Sequence, residues 1–187
     1  KMFERIIYTI FYKDVELWAI SRNTKFDILA INPDAKIEVL PLGIEEKKVS
    51  SVLKKNINYK AIFLARIVEM KGVEIAIQSV VGIVQKYPKF CLYIVGAGRK
   101  EYVSSLKKFI KQLGIEKNVI FKGFVSEEEK YSLIKESDFL FHTSYKEGFG
   151  LTVLEAAIEG TPSIIKAGSS LEELITEGKD GYIINNA

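Results

Sequence analysis

The stretch E147-G-F-G-L-T-V-L-E155 holds two carboxylates eight positions apart, with two glycines and a short apolar run between them. Gly148 and Gly150 allow close backbone approach to a ligand and let successive N–H groups point outward. A helix beginning at Leu151 would add first-turn N–H donors and the positive end of its dipole. Anionic oxygens would then be held by backbone rather than by side chains. Glu155, one turn into the helix, could accept from a vicinal diol, and Glu147 from hydroxyl groups beside it. The plainer reading makes Glu147 a solvated loop residue and Glu155 a helix-surface residue.

Two cations accompany them. Arg66 directly follows an apolar run, and Lys71 precedes Gly72 and an amphipathic pattern. A cation pair beside a helix start suits a diphosphate, although surface loops also carry such residues. G96-A-G98 follows another apolar run, as a nucleotide-binding turn would, but Glu101 stands where the third glycine of a dinucleotide fingerprint belongs. His142 closes a further strand. It either reaches a ligand or packs at the edge of the core, and it lacks the companions of a metal site.

The elements that must position these residues follow a regular rhythm. Strands are expected at 61–65, 91–95, 118–121, 138–142 and 162–165, with an edge strand at 182–184. Helices are expected over 72–87, 100–113, from Ser126, over 151–159 and over 170–176. Ser126 and Glu129 have the spacing of a capping box, and the run Glu127–Lys130 reads as a solvated helix start. Val73, Ala76, Ile77, Val80 and Val84 form one stripe; Val103, Leu106, Ile110 and Leu113 form another. In helix 151–159 the packing face is read as Val153, Leu154, Ala157 and Ile158. Such alternation predicts an α/β fold, a Rossmann-like parallel sheet with helices on both faces. Right-handed crossovers gather loops 66–71, 96–99, 123–126, 143–150 and 166–170 at one edge, where open α/β sheets bind ligands. Before residue 60 the pattern is weaker. Phe3–Leu17 reads as a helix, 36–40 as a strand, and 47–58 as a linker or surface helix.

Composition agrees with a globular chain: 187 residues, 48% hydrophobic, net charge +3. That charge is too small to argue for nucleic acid. Cys91 is the sole cysteine, read as a core residue, so no internal disulfide is expected. No run approaches a membrane span, and the opening residues lack a signal-peptide layout.

Taken together, these motifs resemble the donor half of the retaining GT-B glycosyltransferases, family 4 (glycosyl transferases group 1) in particular. Glu147 and Glu155 have the spacing of that family's E-x7-E motif. "EGFGLTVLEAAIEGTPSII", Arg66 with Lys71-Gly72, "LYIVGAG" and "VIFKGFVSEEEKYSLIKESDFLFHTS" all resemble its donor-side segments. "SRNTKFDIL…KIEVLPLGIE" looks like the passage from acceptor to donor domain. The resemblance implies that residues 1–45 end the acceptor domain or link the two. Residues 46–187 would form a nucleotide-sugar donor-binding domain without its final helix. It implies that Arg66 and Lys71 grip the donor diphosphate, the backbone around Phe149, Gly150, Leu151 and Thr152 cradles phosphate and sugar, Glu155 binds ribose, Glu147 meets the transferred sugar, and Phe124 and Val125 sit near the base. Glu172 resembles the acidic end of a loop that usually carries two glycines and a proline. Here that loop keeps only Gly168; Ala65 and Thr152 also depart from the usual glycine and proline. The implied partners are a nucleotide diphosphate sugar, an acceptor domain in cis, and an unidentified acceptor, since the family acts on lipids, polysaccharides and small metabolites alike, often on lipid-linked acceptors or at a membrane surface. No nucleic acid, metal or cofactor is implied. The expected place is the cytoplasm, either free or peripheral at the inner face of the membrane. A phosphorylase or epimerase of the same fold, and a binding module without catalysis, are the alternatives.

Overall fold

The computed structural model describes residues 6–7, 10–12, 15–44 and 57–185. A six-stranded, all-parallel sheet organises it. Its strands are β3 (Lys60–Leu64), β4 (Cys91–Val95), β5 (Val119–Gly123), β6 (Phe139–His142), β7 (Ser163–Lys166) and β8 (Gly181–Ile184), in the order β5-β4-β3-β6-β7-β8. Helices α2 (Val73–Lys86), α3 (Lys100–Gln112), α4 (Glu127–Glu136) and α5 (Leu151–Ile158) connect successive strands. The order reverses between β3 and β6, creating a crevice at the strand C-termini.

The period-two alternation of the strands divides the core into two layers. Ala61 and Phe63 on β3 join Leu92, Ile94 and Phe141 beneath the stripe Val73, Ala76, Ile77 and Val80 of α2. Their neighbours Ile62, Val95 and Leu140 pack on the other face with Ile134, Val153 and Ala156. A strand buried on both faces must be apolar at consecutive positions, which is why "AIFLA" and "CLYIV" read as unbroken runs. Leu106 and Ile110 bury the stripe of α3, with Val103 and Leu113 packed partly against it.

Several details differ from expectation. On α5 the buried residues are Val153 and Ala156, while Ala157 is exposed. Val153 and Ala156 turn the same face to the sheet, and Ala157 lies about 100° round the helix from Ala156, toward solvent. Ser126 caps α4 by accepting from the Glu129 N–H at 3.2 Å, while Lys130 is not solvated, as described below. Segment 170–176 is a 3-10 turn over Ser170–Leu174. Cys91, at the start of β4, is half-buried rather than sealed in the core.

The N-terminal portion carries the strand expected at 36–40, together with a strand and a helix that showed no pattern in the sequence. A two-stranded parallel sheet pairs β1 (Leu17–Ala19) with β2 (Ile37–Val39), joined through helix α1 (Arg22–Leu29). Leu17 is therefore strand, although Ile6, Ile7, Ile10 and Phe11 are helical; the rest of the expected 3–17 helix, apart from 12 and 15–16, lies outside the described residues. Most of the 47–58 segment, through residue 56, lies outside them as well. Helix α1 is tied to the main body at its start. The Glu173 carboxylate accepts from the N–H groups of Arg22 and Asn23, both at 3.0 Å, and Ser21 Oγ accepts from Thr24 N–H. A carboxylate there meets both orphan donors and the helix dipole.

Candidate functional site

Above the β3/β6 switch point lies a cleft of about 350 Å³. Its walls are Leu64–Arg66 after β3, Lys71 before α2, His142 at the end of β6, and Glu147–Thr152 leading into α5. Ile20 and Leu42, from the N-terminal portion, close one side. Arg66, Lys71, His142, Glu147, Phe149, Gly150, Leu151 and Thr152, singled out along 87 positions of chain, thus share one cavity because their strands are neighbours.

Two loops are locked together to make it. Gly72 has φ 64°, and a Cβ there would stand 2.1 Å from the Thr143 carbonyl oxygen. Only glycine allows both the left-handed turn and that approach. Thr143 Oγ1 donates to Gly72 O at 2.7 Å, and Tyr145 N–H to Met70 O at 3.0 Å. From the far side Ser170 Oγ donates to Glu147 O at 2.7 Å. These bonds hold Lys71 Nζ 2.5 Å from Glu147 Oε2, with only 17% and 19% of the two side chains exposed. Such a pair is costly to break from one side, because the remaining charge is left poorly solvated.

His142 Nε2 lies 3.5 Å from the same Glu147 oxygen, and His142 Nδ1 is 3.2 Å from Ser144 Oγ. Burial is the main force on the imidazole. Together with the Lys71 charge it overrides the attraction of Glu147 and pulls the pKa down to about 4. His142 is therefore neutral near pH 7. For Glu147, burial alone would favour protonation. The Lys71 hydrogen bond and charge outweigh it and hold the carboxyl below its ordinary value. Among the described residues no carboxylate pairs with Arg66, which is exposed at the cleft mouth. The Thr152 hydroxyl is buried and lacks a hydrogen-bond partner among the described residues.

Other expected residues lie elsewhere. Gly96 and Gly98 border a second cleft, of about 460 Å³, with Ile67, Lys100, Lys107, Phe121 and Gly123. Both must be glycine for the backbone alone: a Cβ on Gly96 would meet Ala65 O at 1.9 Å, and one on Gly98 would meet Ile67 O at 2.2 Å. Phe124 is 89% exposed beyond β5, while Val125 packs partly into the core beside α4. Glu172 is exposed and accepts from Gly168 N–H at 2.5 Å, closing its own loop. Glu155 is directed to Lys130 on α4, whose Nζ is 2.9 Å from Oε1. Lys130, Ser170, Thr143, Ile20 and Leu42 carry no motif of their own. The one hint for Lys130 is that it alone is cationic in an acidic first turn. Among the described residues no helix is long and apolar enough to cross a membrane.

A switch-point crevice lined by two cations, a glycine turn and a helix start defines a Rossmann-like domain of the type found in GT-B glycosyltransferases. The solved structure of Anabaena Alr3699/HepE, in complex with UDP and glucose, superposes with a TM-score of 0.82 at 23% identity, covering 97% of this chain and 52% of that one. The glycosyl transferases group 1 family profile matches residues 44–187, and the chain belongs to that family. Among curated relatives, glycosyltransferase MJ1607 of Methanocaldococcus jannaschii is 27% identical over 190 residues, 93% of this chain and 48% of the relative. D-inositol 3-phosphate glycosyltransferase of Corynebacterium urealyticum is 27% identical over 169 residues, 86% of this chain and 40% of the relative. The chain thus spans less than half the length of these two relatives.

Proposed function

We propose that this chain is the donor-binding half of a retaining glycosyltransferase that uses a nucleotide diphosphate sugar. The observation that carries the proposal is the convergence of Arg66, Lys71, Glu147 and the Gly148–Thr152 backbone on one switch-point cleft. Arg66 and Lys71 take the diphosphate, with the first-turn N–H groups of α5 beside them. The ribose extends toward Glu155, and the base toward the loops at 96–99 and 123–126, where Phe124 offers a ring face. The sugar lies near Glu147 and His142. As the glycosidic bond breaks, negative charge grows on the departing diphosphate. Fixed cations and backbone dipoles stabilise that charge more than they stabilise the ground state. Glu147, ionised beside Lys71, accepts from sugar hydroxyls and faces the positive charge that develops at the anomeric carbon. The acceptor is bound by a second domain that the longer relatives have room for, and residues 1–45 lead from it. Closure of the two domains excludes water. The donor half alone is expected to bind nucleotide without transferring sugar.

Calorimetric titration with UDP, GDP and ADP tests this reading. One diphosphate should bind saturably, and Arg66→Ala should weaken it by roughly tenfold or more, the loss of one charge-assisted contact. A folded chain that binds none of the three, or an Arg66→Ala variant of unchanged affinity, would refute the proposed site.

A further inference from the structure

Lys130 belongs to a helix start that looks wholly solvated in sequence, yet its side chain is 14% exposed. Its ammonium lies 2.9 Å from Glu155 Oε1 and 2.7 Å from Glu127 Oε2, and 4.6 Å from the centre of the Tyr131 ring. The two carboxylates differ in setting. Glu127 is 78% exposed, so its attraction is screened and weak. Glu155 is 16% exposed, and its pairing is held where water competes poorly. Burial draws the Lys130 pKa down, but the hydrogen bonds to Glu127 and Glu155 outweigh it and keep the group cationic.

The backbone under Glu155 is fixed by the buried residues Val153 and Ala156 on the same helix. That leaves the carboxylate free to turn about its own side-chain bonds. A cation on Oε1 removes this freedom and leaves Oε2 as the acceptor. We propose that Lys130 is a positioning residue: it orients the Glu155 carboxylate so that Oε2 accepts from a ribose hydroxyl, and so sets the preference for ribo- over deoxyribonucleotides. The inference rests on the reading of Glu155 as the ribose-binding group. An acceptor already oriented rewards the hydroxyl more than a mobile one does, because less side-chain freedom is lost on binding.

The test uses the 187-residue chain and whichever of UDP, GDP and ADP binds most tightly, compared with its 2′-deoxy and 3′-deoxy forms. The wild type should prefer the ribonucleotide over at least one deoxy form by roughly ten- to a hundredfold, the value of a hydrogen bond to a charged group. Lys130→Met should shrink that preference below about threefold by weakening the ribonucleotide alone. Lys130→Arg should restore most of it, and Glu127→Gln should match the wild type. If Lys130→Met folds poorly, Lys130→Gln reads the same ratio. Equal weakening of ribo and deoxy forms, leaving the ratio intact, would show Lys130 to be merely structural and overturn the inference. If Glu155→Gln lowers the ratio but neither Lys130 variant does, the inference falls while the ribose reading stands. If no diphosphate binds, or Glu155→Gln leaves the ratio unchanged, both fall together.

Discussion

His142 is the only histidine in the chain, so its titration can be isolated from that of every other side chain. An unfolded histidine titrates near 6.5, whereas burial holds this one at about 4. Between those values the unfolded state binds more protons than the folded state. Stability contributed by the neutral imidazole is therefore fully present above about pH 6.5 and is lost progressively as pH falls toward 4. At pH 5 the two pKa values give a loss of about 2 kcal/mol relative to pH 8. With a urea dependence of about 2 kcal/mol per molar, the unfolding midpoint should drop by about 1 M. Glu147 acts in the same direction but later. Its carboxyl is held below the ordinary value, so its contribution is present above about 4.5 and disappears only as pH falls below that. The window between 6.5 and 4.5 thus belongs to His142. His142→Asn keeps a polar group near Ser144 and removes the titration, and its midpoint should stay level through that window. A wild-type midpoint that does not move between pH 8 and 5, or a His142→Asn variant that falls in parallel with it, would refute the argument from burial.

Two further outcomes are expected beyond the binding experiments already described. Gly72→Ala should destabilise by more than about 2 kcal/mol in urea unfolding, because it combines an unfavourable φ with a backbone collision at Thr143 O. Wild-type stability in that variant would show the loop packing to be wrong. Glu173→Ala should release the start of α1 at a local cost of about 1 kcal/mol. Amide exchange across residues 22–29 should then quicken by about fivefold, while exchange in β3 and β4 stays unchanged.

The sheet was legible because its strands are buried on both faces and its helices on one. Runs such as A61–A65 and C91–V95, separated by 3.6-period stripes, leave few other arrangements. The cleft was legible for a related reason: parallel strands send all their C-terminal loops to one edge, so Arg66, Lys71, His142 and Glu147 had to be near one another. The N-terminal portion was legible only in the alternation at 36–40, which is the strand Ile37–Val39. The strand Leu17–Ala19 is three residues long, too short for a period to show, and α1 buries none of its residues. Its place depends on contacts with distant parts of the chain, the Glu173 carboxylate at its start and Lys146 beside Asp27, which nothing local announces.

By itself the sequence determined the order of strands and helices, the glycine turn before α5 and the set of charged residues on one edge, since each follows from local periodicity and chain connectivity. Only the tertiary structure decided how those charges are shared. It gave Lys71 to Glu147 and Lys130 to Glu155, left Arg66 without a carboxylate among the described residues, and kept His142 neutral. It also set Gly96 and Gly98 close against the 65–67 backbone. Pairing and desolvation depend on separations of a few ångströms between residues tens of positions apart. Packing sets those separations, and no spacing along the chain encodes them.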